Sequence, residues 1–167
     1  MNASPLPQLA MRPMLPEDLP QLAEIFRAAV EELAGEDYSK TQQEAWAAAA
    51  DDLDEFGAKL AGALTLVATY SGSAVGFASL ADNTKIDMLY VHPAAAGQGA
   101  GAMLAEALEK LAAARGAKQL SVDASDTARG FFENRGFAAQ TRNTVPVNGE
   151  WLANTTMTKK LGPKEGV

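Results

Sequence analysis

Hydrophobic residues recur at two spacings along this chain, and the switches between them divide it into elements. Near the start, Leu9 to Arg12 reads as a short strand, followed by Leu19, Leu22, Ile25, Phe26 and Ala29 at helical spacing and a stop at Gly35. The alanine-rich stretch "YSKTQQEAWAAAADDLDEFGAKLAG" carries Trp46, Leu53, Phe56 and Leu60 as larger anchors. It predicts one helix broken near Asp51 and Asp52, or two short ones. From Thr65 the period drops to two. Runs at Thr65 to Tyr70 and Ala74 to Leu80 flank a Ser-Gly pair suited to a tight hairpin, and after Asp82-Asn83 a third strand, "KIDMLYVHP", stops at Pro93. Helical spacing returns from Gly99 to Arg115, with Met103, Leu104, Ala107, Leu108 and Leu111 on one face and Glu106, Glu109 and Lys110 on the other. The segment "KQLSVDAS" alternates as a strand, and "DTARGFFENRGF" predicts a short helix ended by Gly136. Two final strands flank Asn148-Gly149, a strong hairpin signal. The order is βααβββαβαββ, an α/β chain with no internal repeat or linker. One domain is expected over residues 9–161, with loose ends at 1–8 and 162–167.

Composition narrows the function. The 167 residues are 47% hydrophobic and 21% charged, as one globular domain requires. A net charge of −7 without a basic run argues against a nucleic-acid partner. With no cysteine and the single His92, disulfides, a thiol nucleophile and a histidine metal site all drop out, so no metal is expected. The opening "MNASPLPQ" lacks the basic and apolar regions of a signal peptide, and no window is apolar enough to span a bilayer, so the expectation is a cytoplasmic protein without a membrane partner. The acidic residues Asp51, Asp52, Asp54 and Glu55 read as a solvated helix start.

The candidate chemistry lies in "HPAAAGQGAGAML", residues 92–104. A flexible linker would have polar, helix-averse flanks, whereas Gly97, Gly99 and Gly101 lie between an apolar strand and a periodic helix. No Ser, Thr, Asp or Asn occurs in this stretch to cap the helix, so its first N–H groups and the helix dipole form a ready anion site. A P-loop would need Gly-Lys-Ser/Thr where Gly101-Ala102-Met103 stands. Gly97, Gly99 and Ala102 do spell G-x-G-x-x-A, the dinucleotide fingerprint, with Asp123 ending a later strand. Pro93 and three alanines intervene after the strand, however, and no βαβ series follows.

The stretch "YVHPAAAGQGAGAMLAEAL" resembles the acetyl-CoA signature of the GNAT superfamily of N-acyltransferases, in which strand four ends in V-x-P and Q/R-x-x-G-x-G/A opens the next helix. The resemblance extends from about Met11 to Leu161. "RPMLPEDLPQLAEIF" is similar to the family's first strand and helix, "ASDTARGFFENRGF" to a later helix and strand, and "NGEWLANTTMTKKL" to the ending of a group of small bacterial acetyltransferases. It implies a single domain with a mixed, mostly antiparallel, twisted sheet of about seven strands, a parallel pairing of the fourth and fifth, and about four helices. It also implies acetyl-CoA as acetyl donor and a small-molecule or peptide amine as acceptor, the amine attacking directly in a ternary complex. A homodimer is left open.

Carried over residue by residue, the resemblance assigns the cofactor to Leu89, Tyr90 and Val91 on the strand and to Gly97, Gln98, Gly99, Ala100, Gly101 and Ala102 at the helix start. Ser125, Thr127, Ala128, Phe131 and Phe132 complete that set. It places an oxyanion donor, a backbone N–H, near Leu89 or Tyr90. Asp87 is the candidate base, directly or through water, with His92 as a second candidate. The acceptor side is expected to be walled by the helices carrying Phe26, Tyr38 and Trp46. There are two departures from the pattern. Ala96 stands where the signature opens with Gln or Arg, which spares the main-chain donors. Phe132 stands where the family often has a Tyr that protonates the departing thiolate. A thiol of pKa about 8.5 leaves readily, so that acid is dispensable, and Tyr90, Ser125 or water are candidates to replace it. Orienting two reactants can itself contribute about 7 to 11 kcal/mol. Two other readings remain: a CoA-binding sensor without chemistry, and a dinucleotide enzyme.

Overall fold

The computed structural model describes residues 8–162. Of the expected loose ends, residues 1–7 and 163–167 lie outside the described residues. Seven strands form one sheet in the order β1-β2-β3-β4-β5-β7-β6. They are β1 (Leu9–Pro13), β2 (Leu64–Tyr70), β3 (Ser73–Ala81), β4 (Lys85–Val91), β5 (Gln119–Ser125), β6 (Ala138–Val147) and β7 (Glu150–Lys160). Five α-helices intervene: α1 (Leu19–Leu33), α2 (Lys40–Ala47), α3 (Leu53–Ala61), α4 (Ala100–Ala114) and α5 (Arg129–Asn134). The mixed sheet and its parallel β4–β5 pair appear, and the expected order does too with one helix more, three instead of two standing between β1 and β2. The alanine-rich segment resolves into two helices, with Asp52 as the N-cap of α3 accepting from Glu55 N. The acidic cluster is therefore in part a helix start, as the sequence predicts.

Turn chemistry sets the meander. Ser71 and Gly72, and Asn148 and Gly149, adopt positive φ, the conformation that matches a two-residue turn to the twist of its flanking strands, and Asp82 and Asn83 do so in the three-residue turn between Ala81 and Lys85. Alternation along the strands then sends side chains to two cores. On one face Leu104, Leu108 and Ala112 of α4 pack on Ala78, Leu80, Leu120, Val122 and Met157. On the other, Leu22, Phe26 and Val30 of α1 and Phe56 and Leu60 of α3 pack on Val67, Phe77 and Met88. Burying each such side chain contributes about 1.5–3 kcal/mol. A smaller cluster of Ala34, Tyr38 and Leu152 joins the end of α1 to the terminal hairpin.

Two irregularities shape the site. Ser79 pairs with Met88 but Leu80 pairs with Ile86, so Asp87 is an extra residue bulged out of β4. Immediately beyond this point the parallel pairing of β4 with β5 ends, having joined only Lys85 to Ser121 and Ile86 to Val122. On its other edge β5 continues against β7 as far as Ser125. The sheet is thus intact at the base of β4 and β5 and split at their C-terminal ends.

Candidate active site

A cleft of about 580 Å³ opens in that split. Its walls include Asp87, Leu89, Tyr90 and Val91 from β4 and Asp123, Ala124 and Ser125 from β5. His92 N donates to Val75 O across to β3 at 2.8 Å. Strand alternation therefore turns the Tyr90 N–H toward β3 and the N–H groups of Leu89 and Val91 toward the gap. Of the two oxyanion donors suggested by the sequence, Leu89 has the orientation required and Tyr90 does not. Gly76 permits the close approach of β3 here, since a Cβ would lie 3.0 Å from Tyr90 O.

Helix α4 begins at the rim of the cleft. Its N-cap is Gly99 with φ +94° and no side-chain cap, and Gly97 has φ +82°. A Cβ at Gly97 would meet nothing within 4 Å, and one at Gly99 only Leu9 Cδ2 at 4.0 Å. Conformation rather than crowding therefore demands glycine, and the space before the first-turn N–H groups is open. An open, uncapped helix start with its positive dipole end exposed fits a diphosphate. Gly101 lies against Phe131, where a Cβ would be 3.6 Å from the ring, and near Leu89 at 3.8 Å. That contact binds the helix start to the cleft wall.

The side chains named from the sequence gather unevenly. Gly97, Gly99, Ala100, Gly101, Ala102, Ser125, Thr127, Ala128, Phe131 and Phe132 all line the cleft, whereas Gln98 is exposed and does not. The Ser125 hydroxyl accepts from Ala128 N at 3.1 Å and keeps its own proton to donate. The Thr127 hydroxyl is committed elsewhere, donating to Asp37 at 2.9 Å. His92 is outside the lining. Its Nδ1 accepts from Ala94 N at 3.0 Å and caps the short turn Pro93–Ala95, a structural task. Phe26 also lies behind the wall rather than in it, packed edge-on against the Tyr90 ring at 4.8 Å.

Asp87 and Tyr90 are the two candidate catalytic residues of β4, and both line the cleft. The bulge turns Asp87 to the α3 side, where Lys59 Nζ lies 3.7 Å from its carboxylate. The Tyr90 hydroxyl accepts from Trp46 Nε1 at 3.3 Å, which leaves its proton free to donate. Burial pushes its pKa up to about 12, partly opposed by the Trp46 hydrogen bond, so it stays protonated through the neutral range. Asp123 also lines the cleft. Burial works to raise its pKa, but the Thr156 hydroxyl and Lys85 outweigh this and hold it low.

The opposite wall comes from regions distant in sequence. Val30 and Leu33 of α1, Tyr38, Trp46 of α2, and Val145, Val147 and Leu152 of the terminal hairpin complete the lining. Tyr38 ties them together, donating to Ala153 O at 2.6 Å and accepting from Asp126 N at 2.9 Å. Sequence reasoning found Tyr38 and Trp46 and missed the hairpin residues. Their only signal is the apolar alternation Val145, Val147 on an otherwise polar edge strand.

Residues 34–161 match the family model of an acetyltransferase (GNAT) domain. The uncharacterized N-acetyltransferase YafP of Escherichia coli K12 is 36% identical over 152 residues, covering 91% of this chain and 96% of that protein. The crystal structure of a GCN5-related N-acetyltransferase, also designated aminotransferase class II, from Rhodopseudomonas palustris superposes with a TM-score of 0.91 at 57% identity. The match covers 96% of this chain and 100% of that one. At 20% identity, the PaiA N-acetyltransferase of Thermoplasma acidophilum in complex with coenzyme A has the same fold, with a TM-score of 0.75 over 91% of this chain and 98% of that one.

Proposed function

The chain belongs to the GNAT acetyltransferase family, and from that premise we propose that it transfers the acetyl group of acetyl-CoA to a primary amine by direct attack within a ternary complex. The observation that carries this reading is the continuity of one cleft from the uncapped start of α4 to Tyr90 and Asp87. The first-turn amides of α4, from Gly99 to Ala102, would hold the diphosphate of the donor. Phe131 and Leu89, which pack on Gly101, would cover its thiol arm. These donors are main-chain groups, so Ala96 in place of a side-chain contact leaves them intact.

Bound acetyl-CoA supplies a thioester carbonyl for attack. The inward N–H groups of Leu89 and Val91 stabilise the charge that develops on the carbonyl oxygen. Asp87, with Lys59 Nζ 3.7 Å from its carboxylate, takes the proton of the incoming ammonium, directly or through one water. The new C–N bond forms and the C–S bond breaks; the nitrogen sheds its second proton to water, the departing sulfur takes the proton of Tyr90, and the tyrosine regains a proton from that water. Tyr90 thus fills the place left by Phe132. Phe132 is 2% exposed and packs edge-on between Phe131 and Phe137, where no proton donor is needed. A sensor without chemistry is the reading that Phe132 and Ala96 favour; a Tyr90 hydroxyl that can donate and intact main-chain donors at the start of α4 support the enzyme instead.

The test is thiol release from acetyl-CoA across a panel of amines, alongside thermal shift with acetyl-CoA, CoA and NAD. Stabilisation by both coenzyme A species and amine-dependent thiol release are expected. Stabilisation by NAD alone contradicts the reading, and tight coenzyme A binding with silence across the panel favours the sensor.

A further inference from the structure

We infer that the acceptor half of the cleft selects an amine with an apolar, aromatic-sized body and no acidic group; this inference rests on the acetyltransferase reading of the same cleft. Val30, Leu33, Trp46, Val145, Val147 and Leu152 furnish that half. They come from the α1–α2 side and the terminal hairpin, opposite the face on which α4 packs.

The charge of the lining completes the argument. Among the described residues, no lysine, arginine or histidine lines the cleft, and the charged groups that do are Asp87 and Asp123. The nearest cations are already engaged. Lys59 pairs with Asp87, and Lys85 pairs with Asp123 at 3.0 Å. Arg142 binds Asp126 with both terminal nitrogens, at 2.5 and 3.0 Å, and reaches Thr155 as well. Arg129 is held by Glu133 at 3.1 Å. The Tyr38 hydroxyl is saturated by Ala153 O and Asp126 N, so it offers no proton to an acid. A carboxylate entering this half would lose its water, find no cation to pair with, meet only neutral donors such as the hydroxyls of Ser125 and Tyr90, and face two carboxylates of like charge. An ammonium faces the reverse: Asp87 attracts it and the apolar wall takes its body.

The experiment is isothermal titration of the protein saturated with CoA, using pairs of ligands that differ by one carboxylate: phenethylamine against phenylalanine, and tryptamine against tryptophan. Ethanolamine controls for an amine without an apolar body. Thiol release from acetyl-CoA is measured with the same five compounds. Each decarboxylated member should bind about tenfold or more tighter than its amino acid, and ethanolamine should bind more weakly than phenethylamine. Val145→Arg, which places a cation on the rim at a half-buried edge-strand position, should narrow or reverse the gap within each pair. Equal or tighter binding of the amino acids by the parent protein overturns the inference, as does an absence of binding by both members. Discrimination in binding with no thiol release from any compound sustains this inference and sinks the acetyltransferase reading instead.

Discussion

The two halves of the cleft are built from different material. On the α4 side the recognition surface is backbone: an uncapped helix start, glycines at φ +82° and +94°, and a strand edge whose Leu89 and Val91 amides have lost their sheet partner. On the α1–α2 side it is side chain, with Tyr38, Trp46, Val145, Val147 and Leu152 drawn from four separate segments. A main-chain cradle recognises a charge pattern that every donor molecule shares, and few substitutions alter it. A side-chain wall sets what else is admitted, and each residue in it can change independently. The common chemistry of a family and the private specificity of one member can thus share a single cleft.

The difference can be broken most sharply at Tyr90, where the halves meet. Tyr90→Phe removes the proton donor but keeps the ring packed against Phe26 and Phe77. Because a thiol leaves readily, we expect kcat to fall only about tenfold, with little change in melting temperature or in acetyl-CoA affinity. An unchanged kcat would assign the proton to Ser125 or water.

Ala102→Glu tests the backbone half. Position 102 is in the first turn of α4, exposed and on the cleft lining, so a carboxylate there favours the helix dipole by about 0.3–1 kcal/mol while repelling the phosphates. Acetyl-CoA affinity should fall about tenfold or more by calorimetry, with the melting temperature held or raised. A parallel loss of stability and binding would instead mean damage to the helix.

Tyr38→Phe tests the side-chain half. The variant gives up two hydrogen bonds, one to Ala153 O and one from Asp126 N, and should cost about 1–2 kcal/mol of stability in urea denaturation. The acceptor KM should rise several-fold with the donor KM unchanged. If both rise together, the halves are not separable.

These contrasts also explain what the sequence revealed. Gly97, Gly99 and the absent cap residues are neighbours in the chain, and their meaning is local, so the uncapped start of α4 could be read directly. The terminal hairpin was equally plain from Asn148-Gly149, because turn chemistry is written in two residues. The acceptor wall was not. Val145 and Leu152 meet Tyr38 only because β7 inserts between β5 and β6, a consequence of strand order that no local pattern carries. The bulge at Asp87 is similarly a matter of pairing register, since "KIDMLYV" alternates no differently around it. Asp87 could be proposed as a base from its position, but its turn toward α3 could not. His92 and Phe26 illustrate the converse. Both are chemically suggestive, and packing assigns one to a turn and the other to the core behind Tyr90.

The smallest expected effect lies at the rim, where Arg142 holds the Asp126 carboxyl below its ordinary range, chiefly through their hydrogen bond. Because the folded pKa is lowered, this stabilisation is present in full above the unfolded value of about 4 and is lost as pH falls through the lowered one. Asp126→Asn should therefore melt about 1 °C below the parent at neutral pH, and the difference should vanish in acid. A difference that persists at low pH would assign the effect to packing.

The most direct test of the whole account is amide NMR of the protein during titration with acetyl-CoA. The account predicts that the N–H resonances of Gly99 to Ala102 and of Leu89 and Val91 shift most, those of the terminal hairpin remaining near their starting positions until an amine is added. Binding that leaves Gly99 to Ala102 unmoved would contradict it.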